Sequence, residues 1–203
     1  MKKIIGVVLF LSIVFTGIAT VLFFSTNGPY RYNMLISLDQ IVKEKGAQVQ
    51  NVYQRRQDLI PNLMNTTRGY AKHEEKTFTA IADARARIGQ VNVNPSDMTP
   101  EQMQAFESAQ GQLGGALSRL MAIQENYPQL KADTLFLGMM TELEGTENRI
   151  STERREYNLA SFNFNTERNQ FPMNLFALVF RFKEKPYFTA QAGADHAPVV
   201  DFN

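Results

Sequence analysis

His73-Glu74-Glu75-Lys76-Thr77 begins like a zinc-protease helix, in which two histidines four residues apart ligate the metal and the glutamate between them serves as general base. Thr77 stands where the second ligand is required, so the motif fails. The other histidine, His196, lies near the C-terminus, and there is no cysteine. That absence removes disulfides, thiolate nucleophiles, sulfur-ligated metals and an acylated cysteine anchor. No Gly-x-Ser-x-Gly, Walker or dinucleotide fingerprint occurs. Gly111, Gly114 and Gly115 are closely spaced, but no strand precedes them and no Gly-Lys-Ser/Thr follows, so they read as a place of close helix approach or of local flexibility. Carboxylate pairs such as Glu74 with Glu75 and Glu142 with Glu144 read as solvated or ion-paired helix faces. The expectation is a protein that is not an enzyme, with no cofactor, no metal and no small-molecule substrate.

The charged residues that do ask for an explanation lie along helix seams. From Glu142 to Phe171, every seventh residue is apolar or aromatic: Leu143, Ile150, Tyr157, Phe164 and Phe171. That is the repeat of a long helix held against partner helices. Its second line is polar, passing Thr146 or Glu147, Glu153 or Arg154, Ala160 or Ser161, and Glu167 or Arg168. An ion at a helix interface is costly unless an opposite charge meets it. Upstream, Leu35, Val42, Val49, Leu63 and Tyr70 share a seven-residue register in which Arg56 takes the position between Val49 and Leu63. Leu38, Val52, Leu59 and His73 supply much of the second line. Partners for Glu147 and Arg154 are expected from other helices of the chain or from another subunit, and Arg56 or Arg55 is expected to pair with an acid of the 142–147 stretch, Glu147 being the natural counterpart; the alternative is arginines that snorkel to solvent. His73, at a seam position, reads as a packing residue, although histidine titrates near neutrality.

These seams imply long helices. The upstream pattern runs from about Tyr32 to Ile88, with Pro61 expected to bend or divide it because proline cannot donate the helical bond to Gln57. Residues 91–99 form a loop, with Thr99-Pro100-Glu101 as cap and first turn of the next helix. That helix carries the stripe Met103, Phe106, Gln110, Leu113, Leu117, Leu120, Gln124 and Tyr127. Pro128 stops it, and after a short connection Asp133 or Thr134 caps the long helix, so the two are antiparallel neighbours.

Ahead of the body, Ile4 to Phe24 is an uncharged run of 21 residues. At about 1.5 Å per residue it matches the roughly 30 Å hydrocarbon thickness of a bilayer. It exceeds the ordinary signal-peptide core of about 7 to 15 residues and lacks a small-x-small cleavage site, so a retained transmembrane helix is expected. Lys2 and Lys3 before the run, against Arg31 after it, favour a cytoplasmic N-terminus and an extracytoplasmic body. Thr26, Asn27, Gly28 and Pro29 read as a hinge. With 21 basic and 20 acidic residues there is no electrostatic footprint for nucleic acid. The expected fold is all-α, an N-terminal transmembrane helix followed by a long-helix antiparallel bundle. Its parts are an anchor and hinge over 1–28, the bundle over 29–188 and a disordered tail over 189–203. The aromatic stretch 173–188 is too short to span a bilayer. It is expected across one end of the bundle, with an alternative in which it lies on the membrane and Arg181, Lys183 and Lys185 face head groups.

Four separated stretches carry a resemblance: ArgArgGlnAspLeuIleProAsnLeu (55–63), GlyTyrAlaLysHisGlu (69–74), LeuSerArgLeuMetAlaIle with GluAsnTyrProGlnLeuLysAla (117–132), and GluLeuGluGlyThrGluAsnArgIle with ArgArgGluTyrAsn (142–158). In these residues and their order the chain resembles the LemA family from Tyr32 to about Phe188, including Phe171-Pro172 and Pro186-Tyr187-Phe188. The resemblance implies a bacterial protein with an N-terminal membrane anchor and an antiparallel helical bundle. The structural or interaction residues it singles out are Arg55, Arg56, Asp58, Pro61 and Asn62; Tyr70, His73 and Glu74; Arg119, Glu125, Tyr127 and Pro128; and Glu142, Glu147, Asn148, Arg149, Arg154, Tyr157 and Asn158. One departure is Asp39 to Ala47, where relatives tend to have an Arg-Asn-containing stretch leading to a Trp, so close packing is not expected at Ala47.

The expected role is a single-pass interaction, scaffold or self-assembling protein of the bacterial cytoplasmic membrane. Its partners would be the lipid bilayer together with a second copy or another membrane protein. The alternatives are a membrane-shaping assembly that touches lipid through the C-terminal aromatic segment, and a regulator of a membrane enzyme.

Overall fold

A computed structural model of the chain describes residues 2–70, 74–89 and 94–189. Among them are six α-helices and three 3-10 turns, with no strand. The helices are α1 (Lys2–Thr66), α2 (Glu75–Gly89), α3 (Pro100–Ile123), α4 (Pro128–Lys131), α5 (Thr134–Asn169) and α6 (Met173–Val179). The turns are Arg68–Tyr70, Pro95–Asp97 and Gln124–Asn126. The described residues fall into two compact units, one within 2–41 and 162–184, the other within 42–161 and 185–189.

In the second unit the seven-residue seams become the core. Val42, Val49 and Leu63 of α1 are fully buried, as are Ile150 and Tyr157 of α5 to within 2%. Gln110 keeps its place in the buried stripe of α3, among Phe106, Leu113, Leu117 and Leu120. α2 and α3 are antiparallel, Glu74 meeting Tyr127 at one end and Arg87 meeting Gln112 further along. α3 begins in a capping box: Thr99 Oγ1 accepts from the Gln102 amide, and Gln102 Oε1 accepts from the Thr99 amide. Asp133 caps α5, its Oδ1 accepting from the amides of Leu135 and Phe136 at 2.9 and 3.1 Å. Near Ala47, itself exposed, it is Gly46 that is buried, beside the backbone of Ser96.

Three boundaries differ from the expectation. α1 does not divide at Pro61; the pattern breaks after Thr66, where Thr67 turns its hydroxyl back onto the Leu63 carbonyl at 2.7 Å and the Arg68–Tyr70 turn follows. α1 also runs through residues 26–29, so no hinge interrupts it there. Gly28 is buried there, and a Cβ on it would stand in ordinary contact with the Phe176 ring at 3.5 Å, so α6 packs on α1 at this point of the helix. Phe171 falls beyond the end of α5 and is 78% exposed instead of continuing its seam.

In the first unit Tyr32 of α1 meets Phe180 and Phe182 at ring-centroid distances of 4.7 and 6.0 Å, and Phe164 of α5 meets Phe182 at 6.3 Å. Arg168 donates to the Phe182 carbonyl at 2.8 Å. The aromatic segment thus packs on α1 and α5 through one face.

No helix among the described residues is long and apolar enough to cross a membrane. Of the run Ile4 to Phe24 the side chains of 4–5, 7–9, 19–20 and 22–24 lie outside the described residues.

Candidate functional site

In the second unit each of the two arginines offered for the pairing meets an acid of the 142–147 stretch. Arg56 Nη1 lies 3.0 Å from Glu147 Oε2, and Arg55 Nη2 lies 2.7 Å from Glu142 Oε1. The pairs are not equivalent. The Arg56 side chain is only 7% exposed while that of Glu147 is 58% exposed, so a buried cation reaches outward to a wetted carboxylate. Arg55 and Glu142 are both half exposed or more. α3 makes room for the guanidinium by lacking side chains: Gly111, Gly114 and Gly115 line a cleft of about 420 Å³ with Arg56, Glu144 and Glu147. A Cβ on Gly114 would stand 3.2 Å from Arg56 Nη2. Of these glycines it is Gly114 that is closely approached, by a side chain, while Gly115 faces open space.

A second cleft, of about 590 Å³, gathers Asn51, Arg55, Glu142 and Arg149 with Thr141 and Thr146. Three of the family-implied residues therefore share one exposed, mixed-charge surface. Arg55 and Glu142 there are paired with each other.

Arg154 solves its burial differently. Its Nη2 lies 2.6 Å from Glu107 Oε1, and its guanidinium sits 4.9 Å from the centre of the Phe188 ring. Glu107 also accepts from the amide and hydroxyl of Thr189 at 2.9 and 2.8 Å, while the Thr189 carbonyl accepts from Arg154. Asn158 clasps Phe188 with two 2.8 Å bonds, one given to its carbonyl and one accepted from its amide. Residue 189, expected in the tail, is thereby held; residues 190–203, including His196, lie outside the described residues. Glu107, Phe188 and Thr189 were missed as partners because nothing local marks them. The one usable signal was the demand of Arg154, a charge beside a helix seam, for an opposite charge from another helix or another subunit.

Tyr157 is fully buried and donates to the Pro95 carbonyl at 2.9 Å. Burial, with the Asp97 carboxylate adding to it, pushes its phenol up to about 12. Tyr53, edge-on to Phe106 at 4.9 Å, is likewise pushed up to about 12 by burial, which outweighs the pull of Arg154 and Arg56. Lys185, placed toward head groups in the alternative above, is instead buried and donates to the Ser96 carbonyl at 3.4 Å, because Pro186 to Phe188 is drawn onto α5.

The remaining implied residues are more dispersed. Asp58 accepts from Gln54, Pro61 is half-buried within α1, and exposed Asn62 gives its carbonyl to Thr66. Glu74 accepts from the Tyr127 hydroxyl at 3.0 Å, which raises the phenol's pKa. Glu125 lies 3.5 Å from Lys131, and Pro128 starts α4. Arg119 and Asn148 are exposed. The Tyr70 side chain and all of His73 lie outside the described residues.

Comparison with known proteins decides the family, because the LemA family profile matches residues 45–202. The chain belongs to the LemA family. Magnetosome protein MamQ 2 of Paramagnetospirillum magneticum is 30% identical over 187 residues, covering 84% of this chain and 68% of that protein. Magnetosome protein MamQ of Magnetospirillum gryphiswaldense is 28% identical over 194 residues, covering 87% of this chain and 71% of that protein. Protein LemA of Metamycoplasma hominis is 27% identical over 147 residues, covering 72% and 64% respectively. As a LemA-family member the chain keeps the motif residues Arg55, Arg56, Glu142 and Glu147 together in its charge pairs, and Arg154, Tyr157 and Asn158 in contacts that fix the 186–189 segment.

Proposed function

We propose that this LemA-family chain is a single-pass membrane protein of the bacterial cytoplasmic membrane that works without catalysis, as an anchored scaffold binding a second copy or another membrane protein. The observation that carries the anchor is the run Ile4 to Phe24. Its described large side chains, among them Phe10, Ile13, Phe15 and Val21, are 40% to 75% exposed around α1. Apolar surface left in water costs roughly 25 cal/mol per Å², and a bilayer removes that cost. Kinship with proteins named for the magnetosome supports a place at a bacterial membrane.

Binding rather than turnover is favoured by how the ionisable side chains are used. Arg56, Arg154, Glu107 and Glu147 hold helices and chain segments together, and the Thr141 and Thr146 hydroxyls in the cleft of Arg55, Glu142 and Arg149 donate to helix carbonyls of their own turns. Two measurements test the reading. Alkaline extraction of membranes containing the full chain should leave it in the pellet, whereas a Val14→Arg, Ile18→Arg variant should be released. A photo-crosslinker at Asn51 should give one discrete adduct, either of doubled mass or with a membrane protein. Release of the unaltered chain overturns the anchor, and absence of any adduct in cells overturns the scaffold.

A further inference from the structure

We propose that the outer face of α6 and its flanking turns, formed by Phe171, Leu175, Leu178, Val179 and Phe180, rests on the bilayer surface beside the anchor, with Arg181 and Lys183 directed to anionic head groups. This rests on the membrane anchor proposed above. The first unit places the face at the right depth. Gly28 and Tyr32, the positions where α6 packs on α1, lie four and eight residues past Phe24, or about 6 and 12 Å along a helix. Head groups add roughly 5 to 7 Å to each side of the hydrocarbon, so the Phe176 end of α6, beside Gly28, lies within the head-group layer around a membrane-spanning α1, and the Phe180 end, beside Tyr32, lies just outside it.

What α6 exposes there suits lipid. Its buried side, Met173, Phe176 and Ala177, is spent on packing, yet Leu178 is 78%, Val179 68% and Phe180 50% exposed, with Phe171 at 78% beside them. Tyr30, 72% exposed on α1, adds an aromatic of the kind enriched at membrane interfaces. Between 28 and 33 and between 171 and 184 there are three basic residues, Arg31, Arg181 and Lys183, against one acid, Glu184. That excess complements an anionic leaflet.

Arg181 supplies an independent observation. α6 ends in a Schellman turn, the Phe182 amide donating to the Ala177 carbonyl and the Arg181 amide to that of Leu178. The left-handed position of that turn ordinarily falls to glycine, but here it is Arg181 at φ 58°. The turn leaves the Arg181 side chain exposed, so its positive charge stands beside the exposed apolar face.

The chain contains no Trp, so single tryptophans in the full-length protein report their own surroundings. Leu178→Trp, Phe15→Trp and Leu135→Trp each place one at an exposed position, on α6, in the anchor run and at the start of α5. Each variant is reconstituted into vesicles of phosphatidylcholine and phosphatidylglycerol carrying brominated acyl chains. Leu178→Trp emission should shift to the blue and be quenched most by bromines near the head groups, Phe15→Trp by deep bromines, and Leu135→Trp by neither. Adding Arg181→Gln and Lys183→Gln should reduce the quenching of Leu178→Trp. Quenching of Phe15→Trp without Leu178→Trp overturns the docking and leaves the anchor; quenching of neither overturns both. A blue shift of Leu178→Trp that grows with protein density but ignores bromine assigns the face to a second copy and overturns the lipid contact, as does equal quenching at Leu135→Trp.

Discussion

Arg56, buried on α1, reaches Glu147 on α5 across 3.0 Å, and the acid is the partner that faces solvent. Water at the carboxylate weakens the attraction while the guanidinium keeps its desolvation cost. Replacing the cation by a neutral side chain of similar volume should therefore cost little. Arg56→Met is expected within about 1 kcal/mol of the parent, whereas Glu147→Gln, which strands the cation, should cost about 1 to 2 kcal/mol. Denaturant unfolding of the detergent-solubilised chain, followed by circular dichroism, measures both. A double-mutant cycle should give a coupling on the order of 1 kcal/mol.

Gly114 and Gly115 separate helix propensity from the room needed by Arg56. Alanine in a helix interior is worth about 1 kcal/mol over glycine. At Gly115 an added Cβ meets nothing within 4 Å, so Gly115→Ala should raise stability by about that amount. At Gly114 it would crowd Arg56 Nη2, and Gly114→Ala should gain clearly less or lose. Combining Gly114→Ala with Arg56→Met should restore the gain in the same unfolding measurement.

Glu107 and Asn158 hold the 186–189 segment from two sides. Truncating a hydrogen-bonding partner in a part-buried site costs about 1 to 3 kcal/mol. Asn158→Ala and Glu107→Gln should therefore speed hydrogen exchange at the Phe188 and Thr189 amides, each of which loses its side-chain acceptor or has it weakened. Exchange in α2, which neither residue touches, should be unchanged.

Tyr53 and Tyr157 make alkaline stability testable. Both phenols are raised from 10.0 to about 12 in the folded chain. Between those values the folded state holds more protons than the unfolded one, so stability is fully present below about pH 10 and falls as pH climbs toward 12. Ultraviolet titration should show two tyrosines that ionise only as helicity is lost. Tyr53→Phe with Tyr157→Phe should flatten the fall, and Tyr157→Phe alone should cost about 1 kcal/mol for its bond to Pro95.

Periodicity made the helices legible because a seven-residue repeat needs only the chain's own register. Val42, Val49, Leu63, Ile150 and Tyr157 are buried as their spacing requires. The need of Arg56 for an acid was legible too, since the cost of an unpaired interface charge does not depend on the fold. The extent of α1 was less so. Residues 26–29 have turn composition, yet the helix passes through them, with Gly28 buried where Phe176 packs.

The sequence by itself determined an all-helical LemA-family chain, its seams, an uncharged run long enough for a bilayer, and the charges that had to find partners. Tertiary structure alone decided that Glu107 answers Arg154, that Lys185 turns inward to Ser96, and that Phe171 leaves its seam for the surface. The physical reason is range. Helical registers are set by neighbours within two turns, whereas Glu107 and Arg154 are separated by 47 positions and Ser96 and Lys185 by 89, and meet only once packing has fixed where each helix lies.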